Sequence, residues 1–298
     1  YNNGGAQREV TSVQFSTFFN DGEGAFSIGY THQNIDMICS MQSSTSHSNY
    51  GKCPGSDFQF RQASRSIYET EHRLFATLSS THYFFGPESP TTFNLFFERK
   101  SGLPGTLSFD TYSSPGSYRT SAFGHERRTN DDSAQLLYIP SGVNDPLICW
   151  SSCTSPNPAV AAEIVNLLHN TYGLDGYAGR ILPAGVYEFP YQTSLDLKIT
   201  QRLPGFRTND EFVISLGIEN LLNLIDSDKG EIRYGDFTGK VPVLDVRMTE
   251  DLSRYIYGNS RGADYAYGYN PNDPYDLRKS ATQSIWRAQL GFTYKFSF

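Results

Sequence analysis

The chain has 298 residues, enough for one large domain or two ordinary ones, with a formal net charge of -7 and a pI near 5.4. Hydrophobic residues make up only 38 %, yet aromatics reach 14 %, as 21 Phe and 20 Tyr against 2 Trp. No basic run or basic helix supports nucleic-acid binding, and no run of about 18 apolar residues supports a transmembrane helix.

A mean hydropathy of -0.45 ordinarily speaks against a membrane protein. It does not speak against a transmembrane β-barrel, where only alternate strand positions face lipid. The chain opens on Tyr1-Asn2-Asn3-Gly4-Gly5 without an initiator Met or a signal peptide, so a mature cut or a fragment is expected.

Taken in order, the first strands are predicted at 8–19 (Val13, Phe15) and 24–34 (Phe26, Ile28, Tyr30), linked by Asn20-Asp21-Gly22-Glu23. A long loop follows at 35–69. Alternation resumes at 70–84 (Leu74, Ala76, Leu78), and after a short link at 85–90 Phe93, Leu95 and Phe97 alternate with Thr92, Asn94 and Glu98. The stretch 102–192 is expected to be a second long loop. Within it Asn157 to His169 reads as a short helix, with Asn157 as N-cap, Pro158 in the first turn and Gly173 as a stop. Its packing face would be Val160, Ile164, Leu167 and Leu168.

Leu195, Leu197, Ile199 and Leu203 then alternate with Asp196, Lys198, Thr200 and Arg202. After a short link at 204–210, Phe212, Ile214, Leu216 and Ile218 alternate with Glu211, Ser215, Gly217 and Glu219. A third long loop is expected at 220–281, containing a hairpin at 230–248 (Ile232, Tyr234, then Val241, Val243, Val246) around Thr238-Gly239-Lys240. The last segment puts Trp286, Ala288, Leu290, Phe292, Tyr294, Phe296 and Phe298 on one face. Arg287, Gln289, Gly291, Thr293, Lys295 and Ser297 occupy the other.

Seven strands result, and short links alternate with long ones, as periplasmic turns alternate with extracellular loops in bacterial barrels. The predicted fold class is all-β, a transmembrane antiparallel barrel with long extracellular loops at 35–69, 102–192 and 220–281. Single-chain bacterial barrels have even strand numbers from about 8 upward. Residues 1–298 are therefore expected to be part of a larger barrel, unless one strand has escaped notice. A soluble sandwich is a weaker reading, because lumen-side charges such as Asp196, Lys198 and Arg202 need a wet face.

The tail Gln289-Leu290-Gly291-Phe292-Thr293-Tyr294-Lys295-Phe296, extended by Ser297-Phe298, resembles the signal by which outer-membrane barrels are recognised for assembly. Its key positions are Gln289, Gly291, Tyr294, Phe296 and Phe298. Leu195-Asp196-Leu197-Lys198-Ile199 and Ile218-Glu219-Asn220-Leu221-Leu222-Asn223 resemble the closing strands of TonB-dependent receptors, in which an Asn-Leu-Leu/Phe-Asn element ends the penultimate strand. Phe97 to Pro104, Leu136 to Pro140 and Asn144-Asp145-Pro146 are similar to Oar-like members of that family. The resemblance covers about residues 70–298. It implies a barrel of about 22 strands in the outer membrane of a Gram-negative bacterium, inserted by the barrel assembly machinery. It further implies a plug, outside this chain, through which the TonB complex drives transport of an unidentified extracellular ligand. Oar-like members are also associated with surface adhesion and protein export, which leaves a role without import open.

Four cysteines fall into local pairs, Cys39 with Cys53 and Cys149 with Cys153, and two short disulfides fit an oxidising compartment. Zinc is the rival reading, disfavoured because no second Cys/His pair follows Cys149 and Cys153 at finger-like spacing. Tyr255, Tyr257, Tyr265, Tyr267 and Tyr269 enrich the third loop and are candidate ligand contacts, although Tyr also populates membrane-interface girdles. Ser121 or Ser133 with His125 and Asp131 or Asp132 lack any positioning motif, so no enzyme is expected. No metal ligand set and no cofactor are expected, beyond calcium at Asn130-Asp131-Asp132, Asp226-Ser227-Asp228 or Asn272-Asp273, none of which has EF-hand spacing.

Overall fold

The computed structural model describes residues 5–38, 44, 49, 54–55, 62–110, 135–207, 209–234, 239–249, 251, 253–260, 278–280 and 282–296. Strands account for 51 % of the structure, which is all-β with few helices. The first strands are β1 (Gln7–Phe19), β2 (Gly24–Met37), β3 (Ser64–Arg65), β4 (His72–His82), β5 (Thr91–Lys100) and β6 (Pro104–Asp110). There follow β7 (Tyr138–Ile139), β8 (Ile148–Trp150), β9 (Arg180–Ile181), β10 (Tyr187–Glu188), β11 (Gln192–Pro204) and β12 (Glu211–Glu219). The last are β13 (Arg233–Tyr234), β14 (Lys240–Met248), β15 (Tyr255–Ser260), β16 (Arg278–Lys279) and β17 (Arg287–Lys295). Among the elements whose bounds are described, two are α-helices, α1 (Pro158–Asn166) and α2 (Leu221–Ile225).

Among the described residues, seven long strands form one antiparallel meander in the order β1-β2-β4-β5-β11-β12-β17, and β3 adds two residues beside β2. These are the seven segments in which apolar residues alternate, so the period-two pattern marks the membership of the sheet. The links at 20–23, 83–90 and 205–210 lie at one end of the sheet, and the longer excursions all leave from the other. The first link is tight because Asn20 and Asp21 both take φ 52°, a left-handed conformation that short polar side chains tolerate.

The apolar core lies elsewhere. The described parts of 102–192 and 220–281, stretches expected to be loops, interleave into a folded cap at the excursion end. Among the described residues its sheet runs β10-β6-β14-β15-β8, in which β14 and β15 come from the second stretch and the rest from the first. The pairs β6–β14 and β8–β15 are parallel, which takes long crossovers. Leu107, Phe109, Leu137, Ile139, Leu244 and Tyr257 are completely buried, and Ile164 and Leu168 close the core from the helical side.

The helix predicted after Asn157 is present. Asn157 Oδ1 accepts from the amides of Ala159 and Val160 at 3.0 and 3.4 Å, and Pro158 fills the first helical position, where its missing N–H costs nothing. α1 continues as a π turn at Leu167–Thr171 and ends before Gly173, whose φ is +66°. The hairpin predicted at 230–248 does not form. β13 pairs with β16, while β14 inserts between β6 and β15. Val243, Leu244 and Val246 are thereby buried, which a hairpin on a loop surface could not achieve.

The cap meets the sheet through Arg65 of β3, whose Nη2 donates to Glu188 Oε1 of β10 at 2.7 Å. Burial alone would lower the Arg65 pKa, but hydrogen bonds and charge from Glu69 and Glu188 hold it above its ordinary value.

Candidate functional site

The register sorts the large sheet into rows. On one face Phe15, Ile28, Ala76, Phe97 and Leu195 stand side by side on successive strands. The next row is Phe26, Leu78, Leu95, Leu197, Ile218 and Ala288. A third holds Phe93, Ile199, Leu216 and Leu290. The result is an apolar band continuous from β1 to β17. It is not packed into a core: Val13 is 69 % exposed, Phe15 59 %, Leu290 59 % and Phe292 63 %. Each such side chain gains ~1.5–3 kcal/mol on full burial, so leaving a band of this extent uncovered is costly in water. Strand length is compatible with a bilayer, since a spanning strand needs about 9–11 residues when tilted. The shortest of the seven, β12 and β17, have 9 residues and the longest, β2, has 14.

An aromatic rim borders the band at the end with short links. Phe19 precedes the first link, Tyr83, Phe84 and Phe85 sit in the second, and Phe206 projects from the third at 97 % exposure, while Phe18 projects on the opposite face. Tyr294 ties the rim to the last strand. Its hydroxyl donates to Asp210 Oδ2 at 2.6 Å and accepts from the Phe206 amide at 2.9 Å, while its ring stacks on Phe206. Of the rim side chains only Tyr83 and Tyr294 combine an apolar body with the polar tip that favours a membrane–water boundary, the phenylalanines being apolar throughout.

The opposite face is mostly polar, though Phe18, Phe75, Phe96 and Val213 share it, and it is knitted by charge. Glu98 of β5 pairs with Arg73 of β4 and with Lys100, Glu211 pairs with Arg202 and Lys295, and Glu219 with Arg287. Asp196 Oδ1 accepts from the Asn220 amide at 2.8 Å. Most of these ties cross strands, as expected from the alternating charges of β11 and β12. A depression of about 460 Å³ opens over the middle of this face, with Thr77, Asn94, Asp196, Lys198 and Glu219 in its lining.

The Asn220-Leu221-Leu222-Asn223 element has a definite local role. Asn220 takes a left-handed conformation that turns the chain from β12 into α2, and its Nδ2 donates to the carbonyls of Gly230 and Gln283. Asn223 Nδ2 donates to the carbonyls of Ser227 and Lys229. Asp226 accepts from the Asp228 amide and pairs with Lys229, which lowers its pKa and makes it a turn residue.

Of the tyrosines named from the sequence, Tyr257 is completely buried in the cap, its hydroxyl donating to the Tyr138 carbonyl, and so presents no contact surface. Tyr255 is half-buried between Phe109 and Tyr138. Tyr265, Tyr267 and Tyr269 lie outside the described residues, as do Ser121, His125, Asp131, Asp132, Ser133, Asn130, Asn272 and Asp273. Cys149 and Cys153 are disulfide-bonded, with Cα atoms 4.7 Å apart, and Cys39 and Cys53 lie outside the described residues. Gln289 and Gly291 face the polar side of β17, opposite Gly217 and Ser215, whereas Tyr294 belongs to the apolar side. Phe296 follows the strand at 67 % exposure, and Phe298 lies outside the described residues. The rim and the cap were not anticipated from the sequence, although exposed aromatics beside every short link were there to be read.

Comparison with protein-family models, curated proteins and solved structures finds no match for this chain.

Proposed function

We propose that this chain is the barrel portion of a TonB-dependent outer-membrane receptor, similar to Oar-like members, for energy-coupled transport of a still unidentified ligand. The observation that carries the reading is the uncovered apolar band across seven consecutive antiparallel strands. The aromatic rim, the polar and charged opposite face, and the segregation of short links from long excursions support it. On this reading the band meets lipid, the polar face lines the lumen and the cap stands outside the cell. Among the described residues β1 pairs only with β2 along its length and β17 only with β12, so both edges are free for the remaining strands. The plug and the TonB box that coupling requires lie outside these residues.

The cap favours one further reading, a surface adhesion or export component that imports nothing, because a separately cored module suits display to the outside. The test begins with the native polypeptide in Gram-negative outer membranes. Detergent-dependent extraction, a folded band in cold SDS and a native mass two to three times this chain's support the receptor. Release into water without detergent rejects the barrel. Ligand uptake that survives collapse of the proton gradient rejects TonB coupling, and binding without uptake favours the adhesion reading.

A further inference from the structure

Three side chains able to ligate a metal converge at the cap end of β2 and β4: His32, Glu71 and His72. His32 and His72 are directly opposed across the β2–β4 ladder, with ring centroids 5.3 Å apart. Glu71, just before β4, turns Oε1 towards both rings, 3.8 Å from His32 Nε2 and 3.4 Å from His72 Nε2. Its other oxygen accepts from Arg65 Nη2 at 2.5 Å, which fixes the orientation of the carboxylate. The Tyr30 hydroxyl lies 2.8 Å from His72 Nδ1.

We propose that this cluster binds a divalent transition metal of the zinc class through His32 Nε2, His72 Nε2 and Glu71 Oε1. Tetrahedral zinc with bonds of ~2.0–2.1 Å sets its ligands about 3.3 Å apart. The carboxylate–imidazole separations of 3.4 and 3.8 Å are close to that, and with all three ligand atoms within 4.8 Å of one another the site closes by side-chain rotation alone. Two imidazoles and one carboxylate suit zinc, cobalt, nickel or copper, whereas calcium and magnesium take oxygen ligands. Local charge favours a dication, because Glu69, Glu71 and Glu188 all bond to the single guanidinium of Arg65. When Tyr30 accepts the Nδ1 proton of His72, the Nε2 lone pair is left for the metal. Both imidazoles share the face of the apolar band but stand beyond it at the cap end, part-exposed at 44 % and 38 %, so an ion can enter from that end, and a fourth position stays open to water or a small ligand.

The sequence conceals this site, since His32 and His72 lie on different strands with no spacing motif and only the register brings them together. It stands on the β2–β4 ladder alone and is independent of what the barrel transports.

The test uses the full chain in detergent, titrated with zinc chloride by calorimetry and with cobalt(II) by visible absorption. One zinc per chain with micromolar or tighter Kd is expected, and a cobalt spectrum with nitrogen ligation. His32→Ala and His72→Ala should each weaken binding at least tenfold, and Tyr30→Phe by several-fold up to tenfold. Folding of each variant is checked by its migration in cold SDS. Absence of stoichiometric zinc on the unaltered chain overturns the proposal. So does a cobalt spectrum without nitrogen ligation, or unchanged affinity in a folded variant lacking both histidines.

Discussion

The phenolic hydroxyl of Tyr257 donates to the carbonyl oxygen of Tyr138 at 2.6 Å, joining the two excursions of the chain inside the cap core. Burial first, and then the neighbouring Tyr255, Tyr138 and Asp145, hold the Tyr257 pKa far above its usual value, so the group stays a donor. Tyr257→Phe leaves a buried carbonyl short of its partner and is expected to cost ~1–3 kcal/mol. Tyr257→Ala opens a cavity as well, for ~3–5 kcal/mol. Urea unfolding followed by Trp150 emission, from a ring 6.0 Å away, reads both changes.

Asp145 gives the cap a pH dependence of known sign. Its Oδ2 accepts from the Ser141 amide, the Ser141 hydroxyl and the Tyr138 hydroxyl, and its Oδ1 from the Leu147 amide. Burial alone would raise its pKa, but the bonds from Ser141, Leu147 and Tyr138 outweigh it and hold the group below the ordinary value. A depressed folded pKa contributes stability that is complete above the unfolded value, and that is lost as pH falls through the folded one. The cap should therefore hold at neutral pH and loosen only below about pH 4. Asp145→Asn is expected to lower neutral stability and flatten the acid limb of unfolding midpoint against pH. The same contact, after burial, pushes Tyr138 up to about 12.

Gly185 tests the anchorage of the cap. Its φ is +75°, and a Cβ there would stand 2.8 Å from Arg65 Cβ and 2.9 Å from the Arg65 carbonyl oxygen. Gly185→Ala combines left-handed strain with overpacking and is expected to cost ~1–3 kcal/mol. Limited proteolysis should release the cap region before the strands of the large sheet are cut.

The two faces of β11 call for opposite responses to charge. Leu197→Arg, in the apolar band, is expected to destabilise a barrel by ~2–4 kcal/mol near the bilayer midplane. Thr200→Arg, on the polar face, should leave the folded fraction in cold SDS nearly unchanged. Equal tolerance at the two positions would argue that the band does not face lipid.

Cys149 and Cys153 close a short loop beside the core, with a sequence separation of 4. Chain entropy assigns such a loop about 2 kcal/mol. The double variant to Ser should lower the unfolding midpoint of the cap accordingly, and the further drop caused by reductant should be smaller in the variant than in the parent by that amount.

The seven long strands were legible because their alternation survives over nine residues or more, and α1 because Asn157, Pro158 and Gly173 punctuate it. The cap was not. Most of its strands are short, and in the one of nine residues, β14, Val243, Leu244 and Val246 are all buried, so no period-two pattern marks one face. Its parallel partners lie far away in sequence, as Lys240 opposite Thr106 shows. Val241, Val243 and Val246 therefore suggested a local hairpin, and tertiary pairing overrode it. The rows of the apolar band were implicit in the alternation, but their continuity needed a register that no single strand contains.

The interleaving of the cap has a consequence for how the molecule is assembled. Within the meander β1–β2, β4–β5 and β11–β12 are joined by short links, so these three hairpins can close quickly and locally. The cap cannot form that way: β6 and β8 must wait for β14 and β15, which arrive only after β11 and β12. Completion of the cap is thus a late, long-range event that reports whether the strands beneath are in register. Once closed, it works as a clasp, resisting any sliding of β5 and β11 against β12 and β17 that the ladders alone would permit.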